Sequence, residues 1–165
     1  MSVTEQLSTY LNDHLGGANA GVEMARQLHK DVESEPDAEI LGRLADEIEE
    51  DAESLRGLLE MIGITKNPVK QAAGWLAEKA QRVAVGELAT GSAHLTRLLK
   101  VESLSLGVEG KLSLWLALME VTAANPQLAD IDLPRLVERA RDQRRRLETV
   151  RLDVARRTFT ATKDR

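Results

Sequence analysis

Apolar residues recur at intervals of three and four along nearly the whole chain. Prolines and glycines cut that rhythm into four long segments and one short one. This spacing lays an apolar stripe along one side of an α-helix, and no strand pattern competes with it. The first segment, 3–33, carries Leu7, Leu11, Ala18, Ala25, Leu28 and Val32 on one seam. Ser2 and Glu5 have the spacing of a capping box at its start. Gly16, Gly17 and Gly21 weaken it by propensity, which predicts a close approach of another backbone there, or a bend.

The second segment, 37–62, follows Ser34, Pro36 and Asp37, which together read as a turn and a helix start. It turns Leu41, Leu44, Ile48, Leu55, Leu58 and Ile62 inward, and Gly63 followed by Ile64 predicts a left-handed cap. A short helix is expected over 68–84, and Gly86 and Gly91 interrupt the pattern after it. The third long segment, 93–123, bears one stripe of Leu95, Leu98, Leu99, Leu106, Leu112, Leu116 and Met119. A second stripe is formed by Val101, Leu104, Val108 and Leu118. A helix apolar on two faces needs cover on both, from the short segment holding Trp75 or from a second copy of the chain. Asp132 is placed to cap the last segment, 133–158, whose seam is Leu136, Val137, Ala140, Leu147, Val150 and Val154.

Short links join the first helix to the second and the third to the last. The link between the second and third is about thirty residues, long enough to travel the length of a bundle. The expected fold is therefore an all-α four-helix bundle, two antiparallel hairpins joined by a long crossover containing a short helix. The whole chain, 1–165, forms one domain.

Composition narrows the chemistry. With no cysteine, thiolate catalysis and cysteine-held metal centres are excluded. Tyr10, Trp75, Trp115 and Phe159 are the only aromatic residues, too few for platforms that stack single-stranded nucleic acid. No apolar run reaches membrane-spanning length, and the opening MSVTEQLSTYLNDHL lacks a basic start and an apolar stretch, so a soluble cytoplasmic protein is expected. The net charge of −5 is unevenly spread: 1–131 hold 11 basic and 21 acidic residues, 132–165 hold 11 basic and 6 acidic. Positions 37–60 include 9 acids. The basic last helix is expected to lie against this acidic second one, and contact with nucleic acid or membrane is the lesser alternative.

Several polar residues fall on the apolar seams. His14 follows Leu7 and Leu11, one turn from Tyr10; Asp51 sits between Ile48 and Leu55; Glu102 and Glu109 lie between Leu98 and Leu112; Arg144 falls between Ala140 and Leu147, beside Gln143. A carboxylate buried without a partner costs several kcal/mol, so each must be paired, protonated or metal-bound. The reading favours a structural network of Asp51, Glu109 and Arg144, since one guanidinium offers five donors. The alternative is a metal site of Asp51, Glu102, Glu109 and His14, taking iron or manganese, with Glu102 and Glu109 as the interior pair.

Paired hairpins, a long crossover and interior carboxylates resemble the ferritin-like superfamily. Segments 10–23, 44–51 (LADEIEED) and 104–111 (LSLGVEGK) are similar to a set of uncharacterised bacterial proteins within it. The resemblance implies a di-iron centre built from single Glu residues on two helices and a Glu-x-x-His on each of the others. Glu23 or His14 stands at the first helix's position and Glu102 or Glu109 at the third's. The second helix offers Glu47-x-x-Glu50 and Glu50-x-x-Glu53, the last Glu138-x-x-Arg141, and neither supplies the histidine. The expectation is a non-catalytic scaffold or protein-interaction domain, with a homodimer or another protein as partner. A divergent carboxylate-rich metalloprotein or oxidoreductase is the alternative.

Overall fold

A computed structural model of the chain describes residues 2–32, 36–64 and 92–160. They form four long helices: α1 (Val3–Lys30), α2 (Ala38–Met61), α3 (Ala93–Val121) and α4 (Leu133–Thr160). Two short 3-10 turns, Thr122–Ala124 and Pro126–Leu128, join α3 to α4. No strand occurs among the described residues, so the all-α, four-helix reading holds. The short helix expected over 68–84, the proposed cap Ser34 and Trp75 lie outside the described residues.

The helix ends follow local chemistry. Ser2 and Glu5 close the capping box: the Ser2 hydroxyl accepts from the Glu5 amide at 3.2 Å, and the Glu5 carboxylate accepts from the Ser2 amide at 2.6 Å. The Ser92 hydroxyl caps α3 and the Asp132 carboxylate caps α4, each accepting from an amide three residues on. At the end of α2, Gly63 takes φ +70°, which a side chain would strain. The Ile64 amide then donates to the Leu59 carbonyl at 2.8 Å and the Gly63 amide to Glu60 at 3.1 Å, and Ile64 folds into the core.

Side-chain pairs fix the directions. Arg26 meets Asp46 and Glu49, and Arg56 meets Asn19, so α1 and α2 are antiparallel. Glu109–Arg144 and Glu102–Arg151 make α3 and α4 antiparallel. Lys100 reaches Asp31 at the end of α1, while His14 and Gly17 line one cavity with Lys111 and Trp115, so α1 and α3 are antiparallel as well. It follows that α2 and α3 run in the same direction, so Ile64 and Ser92, the residues flanking 65–91, belong to opposite ends of parallel helices.

Each helix gives one face to a single core. The seams expected for α2 and α4 are buried almost throughout; Ile62 alone is part-exposed. On α3 the sequence left two stripes. The second, Val101, Leu104, Val108 and Leu118, is buried throughout, with Trp115 beside it; the first is split, Leu98 and Leu112 buried and Leu106, Leu116 and Met119 exposed. Between α2 and α4 the contact is largely electrostatic: Arg157 reaches Asp37, Arg146 reaches Glu47 and Arg139 reaches Glu50. The expected pairing of the basic last helix with the acidic second one is therefore present. The remaining arginines of its middle pair within α4 or with α3, as in Arg145–Asp142 and Arg144–Glu109.

Candidate functional site

The centre of the bundle is polar. Asp51, 1 % exposed, is turned inward from α2 because it shares a face with Ile48, Ala52 and Leu55. Its Oδ2 accepts from Lys111 Nζ of α3 and, at 3.0 Å, from Gln143 Nε2 of α4. Its Oδ1 accepts from Arg139 Nη2. Lys111 Nζ also donates to Gln143 Oε1 at 2.5 Å, which closes a three-membered ring of hydrogen bonds. The Gln143 amide reaches on to Glu47 at 3.3 Å, and Arg139 donates to Glu50 at 2.8 Å. Asp51 and Lys111 therefore neutralise each other, and Arg139 is shared between Asp51 and Glu50.

These partners differ from the expected ones. Glu109 and Arg144 do pair, at 2.7 Å, but at the surface, 48 % and 47 % exposed, and neither reaches Asp51. Glu102, expected with Glu109 as an interior pair, is half-exposed and meets Arg151 at 3.5 Å. The reason is rotation about two helices. On α3 the inward positions are 101, 104, 108, 111 and 115, which leaves 102 and 109 outside. On α4 the inward residue is Gln143, 0 % exposed, and Arg144 one step on points away. Lys111 and Arg139 were not foreseen. A signal existed: Lys111 falls seven residues from both Leu104 and Leu118, and Gln143 seven from both Leu136 and Val150.

The metal reading fares poorly on geometry. Among the described residues no three His, Asp or Glu side chains are grouped so that they could hold a metal ion. Asp51, Glu102, Glu109 and His14 do not converge, and Glu23 is exposed on α1. At the centre one carboxylate is already held by an ammonium and a guanidinium, which oppose a bound cation. The residues present do not fit a di-iron or manganese centre.

Beside the network lies a cavity of about 50 Å³ between α1, α2 and α3. Glycines make it: at Gly17, Gly21 and Gly107 a Cβ would meet no atom within 4 Å. The three glycines of the first helix thus do not all serve close packing, since two of them leave space. His14, Asp51 and Lys111 are the polar side chains of an otherwise apolar wall, which the Trp115 ring completes. Gly17, Gly21, Gly107 and Lys111 are part-exposed, which places the mouth between α1 and α3.

His14 stands edge-on to the Tyr10 ring, with centroids 4.6 Å apart. Burial lowers its pKa below 6.5, with Asp13 opposing, so the unfolded chain takes up this proton first as pH falls. Stability is therefore lost as pH drops from 6.5 through the lowered folded value. His14→Gln should flatten that part of the profile, which thermal unfolding across pH checks; an unchanged slope would contradict it.

Comparison with protein-family models, with curated proteins and with solved structures found no match.

Proposed function

We propose that this chain is a non-catalytic helical scaffold of ferritin-like topology, whose role is to bind a protein partner or a second copy of itself. The observation that carries this reading is the state of Asp51. Among the described residues every close partner of this central carboxylate is a hydrogen-bond donor: Lys111, Arg139 and Gln143. A network so closed ties three helices together, and it leaves Asp51 no open position for a metal or a reacting group. The directions of the helices, with α2 parallel to α3, support the ferritin-like arrangement. The exposed Leu106, Leu116 and Met119 on α3 support a partner-binding role, because they lie outside the core that the helix's buried side chains join.

Elemental analysis of protein purified without chelator tests the reading. The expected result is iron, manganese and zinc far below one equivalent in both the parent and Asp51→Asn. Stoichiometric metal in the parent that is lost in Asp51→Asn would overturn it and favour the metalloprotein alternative.

A further inference from the structure

We propose that the cavity between α1 and α3 is a binding site for a small, neutral, mainly apolar molecule bearing one carbonyl oxygen. The lining of the cavity leads there. Its space lies against Gly17, Gly21 and Gly107, where an added Cβ would meet no atom within 4 Å and would stand in the open volume. About 50 Å³ of such space takes a few water-sized groups, which matches a solute of roughly five non-hydrogen atoms. The wall is apolar over most of its area, which favours carbon over water.

The hydrogen-bonding capacity left over at the wall is on the donor side. Lys111 Nζ has three N–H groups and spends two, on Asp51 and Gln143. Trp115 is 1 % exposed, and its indole N–H meets no acceptor among the described residues but has no surface open to the cavity, so Trp115 gives the wall its ring and no donor. The third N–H of Lys111 is the donor that a ligand oxygen can take. On the acceptor side, Asp51 Oδ2 is already shared by two donors and Gln143 Oε1 is taken by Lys111.

Charge selects within the class of acceptors. The ammonium of Lys111 and the carboxylate of Asp51 cancel at the wall, and burial holds His14 toward its neutral form. A carboxylate ligand would leave one buried negative charge unbalanced, and an amine would face Lys111. A ketone, aldehyde or amide oxygen accepts from Lys111 without disturbing that balance.

The test is a titration of the 15N-labelled full chain with 2-butanone, following the amides of Gly17, Gly21 and Gly107 and the Trp115 indole N–H. The expected result is a saturable shift of these signals. Asp51→Leu combined with Lys111→Met, which removes the donor and its counter-charge together, should weaken binding about tenfold. Gly17→Ala and Gly107→Ala, read through the remaining glycines, should weaken it while the helical spectrum and melting temperature are kept. Three outcomes overturn the proposal: shifts that stay linear or absent, equal binding in the alanine variants, or binding of propionate or cyclopentane as tight as that of 2-butanone. Tight propionate would make it an anion site, and tight cyclopentane a purely apolar void.

Discussion

Asp51→Ala should melt about 6–20 °C below the parent chain. Removing one member of a buried ion pair costs about 3–5 kcal/mol, because the partner charge stays behind, and in a domain of this size each kcal/mol moves the midpoint about 2–4 °C. Here Lys111 and Arg139 both lose the carboxylate, and only Arg139 has another acid, Glu50, within reach. Asp51→Leu combined with Lys111→Met should recover most of the loss, since an apolar pair of similar volume avoids desolvating two charges. The alkaline limb offers a further check. Burial is the largest influence on Lys111 and lowers its pKa from 10.5, while Asp51 opposes the shift. The unfolded chain therefore binds more protons between the lowered value and 10.5, and stability attributable to Lys111 rises with pH across that window. Without Asp51 the opposing attraction is gone, so the deficit of Asp51→Ala should shrink as pH approaches 10.5. Thermal unfolding by far-UV circular dichroism measures both effects, and a midpoint within 2 °C of the parent would contradict the role given to Asp51.

How much of this centre the sequence could reveal depended on each helix's contrast between faces. On α2 the contrast is strong: acids crowd one side, and Asp51 stands out on the other between Ile48 and Leu55. On α4 the seam was legible, but three consecutive arginines follow Gln143, and a charged residue draws attention that a neutral amide does not. Gln143 is nonetheless the one in phase with Leu136 and Val150. On α3 the two stripes are nearly equal in hydrophobicity, so periodicity could not decide which faced the core. That choice is made by tertiary packing against α1 and α4, and it carries Lys111 inward and Glu102 and Glu109 outward. The caps at Ser2, Gly63 and Asp132 were legible because each depends on residues within a few positions. The cavity was not, since it needs Gly17 and Gly21 to meet Gly107 at one height across ninety residues of chain.

That cavity shapes the second large effect. Trp115→Ala should cost about 3–5 kcal/mol, the range for truncating a large buried aromatic when its surroundings relax only partly. Trp115 heads the fully buried side chains by volume and lines a space that is already open, so the vacated volume joins that space. Trp115→Phe should cost only about 1 kcal/mol, as a modest volume change. The usual reason for a larger Trp→Phe loss is a broken hydrogen bond, and this indole N–H has no acceptor among the described residues to lose. Urea unfolding followed by circular dichroism separates the two variants, because the slope reports surface exposed and the midpoint reports stability. Equal losses for Phe and Ala would mean that the N–H, rather than the ring's bulk, holds this position. A small loss for Phe and a large one for Ala would place the energy in packing.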